Sequence, residues 1–123
     1  VYDALVEAIR DAVSGVPVRK FAQVQPGYPK YPLIEVVPET LEFIEDRMLS
    51  KFSIRVAFTI VIALPAKTGS NEAIFTILSS VLDAVAGLED YLIAVRGIDF
   101  NEDMLSTPAI HACSIHVEVE ADV

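Results

Sequence analysis

Between Phe52 and Leu64 the chain alternates without a break. Phe52, Ile54, Val56, Phe58, Ile60, Ile62 and Leu64 fall on one parity, and Ser53, Arg55, Ala57, Thr59, Val61 and Ala63 on the other. A period of two belongs to a β-strand, whose side chains point to opposite faces in turn, so the stretch predicts a long strand with one strongly apolar face. Residues 109–120 repeat the pattern. His111, Cys113, Ile115, Val117 and Val119 point one way, and Ala112, Ser114, His116, Glu118 and Glu120 the other. Two segments carry helical spacing instead. In residues 2–14, Leu5, Ile9 and Val13 recur every fourth position, Ala8 and Ala12 flank them, and Gly15 supplies a C-terminal stop. In residues 71–87, Ile74, Leu78, Val81 and Val85 form one stripe while Phe75, Ile77 and Leu82 lie off it. A helix this apolar is expected to be covered on more than one side. Thr68 or Ser70 is placed to cap it.

The remaining segments are shorter. Residues 18–24 read as an edge strand, 33–37 and 40–46 as two strands broken near Pro38, and Leu92 to Phe100 as a strand followed by a loop over 101–108. Three prolines and a glycine in Gln25–Pro32 make that stretch a loop. Asp46 to Lys51 forms the turn of a hairpin. The order is helix, three or four strands, helix, two strands. It predicts one α+β domain over residues 1–123: a mostly antiparallel sheet of four to six strands, with both helices packed on the face bearing Phe52, Ile54, Val56, Phe58, Ile60 and Ile62.

Composition adds a surplus of apolar surface. The chain has 123 residues, 53% of them hydrophobic, and a mean hydropathy of +0.47, more than one small core requires. A membrane does not account for the excess, because the longest apolar stretch, Val56 to Ala66, contains Thr59 and Pro65 and is too short to span. Tyr2, Asp3, Glu7, Arg10 and Asp11 interrupt any signal-peptide pattern. A subunit interface is the better account, with Ala57, Val61 and Ala63 on the second face of the long strand, and the loop residues Tyr28 and Tyr31, as candidate contacts. Eighteen acidic residues against nine basic ones give a formal charge of −9, which repels a phosphate backbone and argues against a nucleic-acid reader. The lone Cys113 rules out an internal disulfide and suits synthesis in a reducing cytoplasm.

Candidate chemistry is sparse. His111, Cys113 and His116 make an H-x-C-x-x-H string, but strand parity puts His116 on the face opposite the other two, so they do not converge on a metal. Asp99, Asn101 and Asp103 open like a calcium loop, yet Met104 and Ile110 stand where glycine and glutamate are needed. Glu45 and Asp46 are adjacent on a strand and face apart, and there is no G-x-S-x-G, Gly-rich phosphate loop or Ser/His/Asp set. The sequence therefore assigns no catalytic, cofactor-binding or metal-binding residue and predicts a structural protein, not an enzyme. The runner-up is a small ligand-binding or regulatory α+β domain, which would need convergent polar groups that the inward faces do not supply.

The layout resembles the tail terminator (tail completion, or neck) proteins of long-tailed bacteriophages. The resemblance spans nearly the whole chain: an N-terminal helix, a proline-containing loop and strand pair, the long strand Phe52–Leu64, the apolar helix Asn71–Gly87 and two closing strands. The stretches Ala94-Val-Arg-Gly-Ile-Asp-Phe and Ser106-Thr-Pro-Ala-Ile-His-Ala are similar to the way that family re-enters its sheet. The resemblance implies a virion protein, assembled in the host cytoplasm. It forms a homo-oligomeric ring, usually a hexamer, at the head-proximal end of the tail. The ring caps the tail tube, stops its polymerisation and meets the head connector or neck proteins, with no cofactor. DNA passes through such a ring without specific binding, so acidic side chains without a compensating row of Lys or Arg are expected at the channel. Glu42, Glu45, Asp46, Glu118 and Glu120 are the candidates, with solvation outside the ring as the alternative.

Overall fold

In a computed structural model of the chain, the residues described are 2–13, 15–20, 32–46, 51–66, 70–89, 91–103 and 110–122. In chain order these form α1 (Tyr2–Ala12), β1 (Val18–Lys20), β2 (Leu33–Asp46), β3 (Lys51–Pro65), α2 (Ser70–Ala86), β4 (Leu92–Asp103) and β5 (Ile110–Asp122). Helix α1 stops where the backbone turns left-handed at Gly15, whose φ of 81° a residue with a Cβ adopts only under strain. The expected hairpin turn at 47–50, the proline–tyrosine loop with Tyr28 and Tyr31, Thr68 and the 104–109 segment lie outside the described residues.

The five strands form one mixed sheet in the order β1-β2-β3-β5-β4. Only the β1–β2 pair is parallel, through Val18↔Ile34, Arg19↔Glu35 and Lys20↔Val36; the other three pairings are antiparallel. The fold is therefore the expected α+β class with a mostly antiparallel sheet. Both helices lie on one face of it. Beneath them the alternation resolves as predicted: Val56, Phe58, Ile60, Ile62 and Leu64 from β3 meet Cys113, Ile115, Val117 and Val119 from β5, all buried. Leu5, Val6 and Ile9 of α1 and Ile74, Leu78, Val81 and Val85 of α2 close that core from above. Tyr2 stacks on Phe58, with centroids 5.5 Å apart and planes at 2°, and its hydroxyl donates to the Val36 carbonyl, tying α1 to the sheet.

Three expectations need correction. The two strands broken near Pro38 are a single strand, because the chain absorbs the proline in a register shift between Pro38 and Thr40; a bulge is one of the few places a sheet tolerates proline. Strand β4 does not end at Phe100 but pairs on through Asn101↔Ala112 and Asp103↔Ile110, after its own shift between Val95 and Gly97. The apolar face of β3 is not buried along its whole length: Phe52 is 54% exposed and Ile54 only partly covered, because the helices sit over the far half of the strand. Helix α2 is covered beyond its main stripe, since Ile77 and Leu82 also pack against the core, while Phe75 is 58% exposed.

Candidate functional site

Two surfaces remain uncovered, and the register builds both. The first is the sheet face opposite the helices. Cross-strand pairing sets Glu42, Arg55 and Glu120 in one row, Ala57 beside Glu118, and Thr59 beside His116. Arg55 donates from Nε and Nη2 to Glu120 Oε1, at 2.9 and 2.5 Å, and lies 3.5 Å from Glu42 Oε2. Glu120, by hydrogen bond and then by charge, holds the Arg55 guanidinium above its ordinary value. Arg96, at the β4 bulge, donates from Nε and Nη2 to Glu118 Oε2 at 3.1 and 3.0 Å. Arg19 pairs with Glu35 across β1 and β2. Solvent screens pairs this accessible, so they order the face more than they stabilise the fold.

This geometry sorts the acidic candidates. Glu42, Glu118 and Glu120 share the uncovered face, and each is matched by an arginine. Glu45 is not on that face. It lies opposite Phe52 on the helix side, because one residue of offset on a strand reverses a side chain. Asp46 ends β2, paired through the backbone with Lys51. Among the described residues, the uncovered face carries Glu35, Glu42, Asp99, Glu118, Glu120 and Asp122 against Arg19, Arg55 and Arg96, and so stays net acidic.

The same face holds a grouping that the sequence hid. His116 Nε2 lies 2.9 Å from Asp99 Oδ2, and its Nδ1 lies 3.3 Å from the Thr59 hydroxyl. An acid, an imidazole and a hydroxyl in this order resemble a nucleophilic triad. Thr59 is only 9% exposed, and the N–H groups of β3 serve ladders to β2 on one side and β5 on the other, leaving none to hold an oxyanion. The arrangement satisfies a buried hydroxyl. Asp99 reaches His116 only because the bulge at Arg96 shifts β4 by one position; Gly97 inside the strand was the one sequence signal for it.

His111 and Cys113 fall on the parity opposite His116, as predicted. Burial, with Asp99 adding to it, pushes the Cys113 thiol up, which keeps it protonated and unreactive. Asp99, Asn101 and Asp103 are extended strand residues instead of a calcium-type loop. Among the described residues no group of three or more His, Cys, Asp or Glu could hold a metal. Ala57 and Val61 are half-buried and Ala63 buried. Val61 and Ala63 line a shallow depression with Leu33, Ile110 and Ala112.

The second surface is the outer half of the β2–β3 hairpin. It projects past the helices as an arm whose helix side shows Leu41 at 54%, Phe43 at 75% and Phe52 at 54% exposure. At the opposite edge of the sheet, Phe75 of α2 meets Phe100 of β4 at 5.4 Å between centroids, and an open groove lined by Leu82, Leu88, Tyr91, Ile93 and Val95 continues alongside. Exposed apolar surface is thus concentrated at two ends of one sheet. Sequence alternation marked these side chains as apolar but gave no sign that they would lack a cover.

The class this architecture defines is a small α+β domain with one helix-covered and one net-acidic sheet face. Over 99% of its length the chain superposes on 91% of a chain from the virion of a native gene transfer agent particle, with a TM-score of 0.56 and 16% identity. The two share a fold. A likeness to the type 4 fimbrial biogenesis protein PilO from Pseudomonas aeruginosa covers 72% of this chain and 58% of that one at 9% identity, and its TM-score of 0.36 falls short of a common fold. No protein-family model matches the sequence, and no curated protein matches it.

Proposed function

We propose that this chain is a structural subunit of a phage-like particle, not an enzyme: a ring-forming tail terminator that caps the tail tube, stops its growth and joins the tail to the head connector. The observation that supports the reading most is the chain-long fold shared with a protein of a gene transfer agent virion. Two features of the molecule fit it. Large apolar side chains stand exposed at both ends of the sheet, as a subunit with neighbours requires. The uncovered face is net acidic and its arginines already hold carboxylates, so phosphates sliding past it would find few cations to bind.

The ligand-binding alternative has less in its favour. Among the described residues, the one buried polar side chain, Thr59, lies on the uncovered sheet face and not in the core, and no buried polar atom lacks a partner, so nothing converges on a ligand. Imaging of assembled particles tests the proposal directly. A ring of this protein at the head-proximal end of the tail is the expected result, and particles with no such ring there would overturn it. Tight, salt-sensitive binding of the purified protein to duplex DNA would contradict the passive-channel part of the reading.

A further inference from the structure

The arm and the far edge of the sheet fit each other. Strand order places β2 and β4 toward opposite sides, and the alternating antiparallel pairings make β2 run opposite to β4. Two copies set edge to edge therefore bring β2 of one against β4 of the next in antiparallel sense, with their helix sides on the same side of the joined sheet. Among the described residues both edges are open. Strand β1 reaches only as far as Val36 on β2, and nothing pairs with the outer side of β4.

The bulges delimit what can pair. Beyond the shift at Pro38/Thr40, β2 runs uninterrupted over Thr40–Asp46; beyond the shift at Val95/Gly97, β4 runs uninterrupted over Gly97–Asp103. The two stretches have equal length. Aligned antiparallel end to end, they set Phe43 opposite Phe100 at the centre, Glu42 opposite Asn101, Ile44 opposite Asp99 and Glu45 opposite Ile98, and no acidic residue faces another. Like charges directly opposite destabilise a strand pair. Sliding the strands by two residues, the smallest step that keeps both faces matched, puts Glu42 against Asp99 in one direction and against Asp103 in the other.

We propose that copies of this chain join by pairing Thr40–Asp46 of one with Gly97–Asp103 of the next, so that Phe43 docks beside Phe100 and Phe75 of its neighbour. The inference rests on the reading that the chain assembles with itself. The areas suit a second copy. At about 200 Å² for a Phe and somewhat less for Leu and Val, the exposed fractions leave roughly 350 Å² on Leu41, Phe43 and Phe52 and roughly 300 Å² on Phe75, Val95 and Phe100. With apolar atoms forming about 57–65% of an interface, these two patches imply roughly 1,100 Å² in total, just above the roughly 1,000 Å² that a specific contact needs. The patches differ, so the contact is head-to-tail and propagates until a ring closes.

Paired cysteines test the register. The double variant Glu42→Cys, Asn101→Cys, oxidised at high concentration, should give a ladder of covalently linked chains on a non-reducing gel. Each single variant should give no ladder beyond linked pairs, and the slipped pair Glu42→Cys, Asp99→Cys should give far less than the first. Cys113, buried on the other face, does not interfere. Phe43→Glu should weaken self-association at least tenfold while leaving the urea midpoint unchanged, since the side chain is exposed in the single chain. If the native protein self-associates but the first pair forms no ladder, the copies meet elsewhere and the arm inference falls while self-assembly stands. If the native protein does not self-associate and the first pair gives no ladder, both fall. A ladder from the slipped pair in place of the first overturns the register.

Discussion

The two halves of the β2–β3 hairpin are written in the same language and live in different surroundings. In the inner half, Ile34 and Val36 face Ile62 and Ile60, all fully buried beneath α1 and α2. In the outer half, Leu41 and Phe43 face Val56 and Ile54 with the same alternation and the same residue types, yet Phe43 is 75% exposed. Phe52 and Phe58 sit on one strand and one parity, and only Phe58 is buried, at 2%. Alternation reports that a strand has an apolar face; what lies over that face is decided by where the helices stop. An apolar face that continues past its cover is surface prepared for something outside the chain.

The sharpest way to break this comparison is to truncate one phenylalanine from each half. Phe58→Ala removes a buried ring, with its stack on Tyr2, and should cost about 3–5 kcal/mol. Phe43→Ala in the single chain should change stability by no more than about 0.5 kcal/mol. Urea unfolding of both variants at low concentration reads the difference directly. Comparable losses would mean that the arm is folded back against the core, contrary to the structure.

How far the sequence revealed this molecule follows the same division. The inner core was legible because period and burial coincide there: Val56 to Leu64 and Cys113 to Val119 alternate cleanly, and the stripe Ile74, Leu78, Val81, Val85 lands on them. The bulges at Pro38/Thr40 and Val95/Gly97 were not read as such, since Pro38 passed for a break between two strands and Gly97 for an ordinary strand residue. They carry the consequences. One turns two apparent strands into a single long arm, and the other brings Asp99 to His116. The acidic candidates Glu118 and Glu120 were placed correctly on the polar parity. Their partners Arg96 and Arg55 come from other strands and depend on a pairing order that the sequence does not display.

A smaller effect separates the buried side of β5 from its polar side. Cys113 fills a place in the core, and Cys113→Ala should cost about 1 kcal/mol through the lost volume. Burial raises the folded thiol above its ordinary value of 9.0, so the folded chain holds that proton more tightly than the unfolded chain does. The stability this provides is complete below about pH 9 and is lost as pH rises through the folded value. The native protein should therefore lose more stability than Cys113→Ala between neutral and strongly alkaline pH, and its thiol should react with a thiol reagent only on unfolding. Rapid labelling of the native chain at neutral pH would show the residue to be accessible and the core loosely packed there.

The smallest effect belongs to the covered end, where Lys20 of β1 forms an ion pair with Asp3 of α1 and sits over the Tyr2 ring at 5.2 Å from its centroid. The hydrogen bond from Lys20, and after it the charge of Lys20, holds the Asp3 carboxyl below its ordinary value of 3.8. A carboxyl depressed in the folded state contributes stability that is present above the unfolded value and lost as pH falls through the folded one. The window therefore opens near pH 4 and extends downward. Asp3 is largely exposed, with 81% of its side chain accessible, so solvent screens the pair and the contribution is slight. Comparing urea midpoints near pH 7 and near pH 3, the native chain should lose marginally more than Asp3→Asn, and added salt should shrink the gap. The arm offers the contrast, because its exposed apolar strip contributes no titrating group to the fold, and Phe43→Ala should leave the acid dependence as it is in the native chain. Equal acid losses in the native chain and in Asp3→Asn would show that the Lys20–Asp3 pair adds nothing to the hold of α1 on the sheet beyond Tyr2, the Arg10 hydrogen bonds to the Val18 carbonyl and the apolar core.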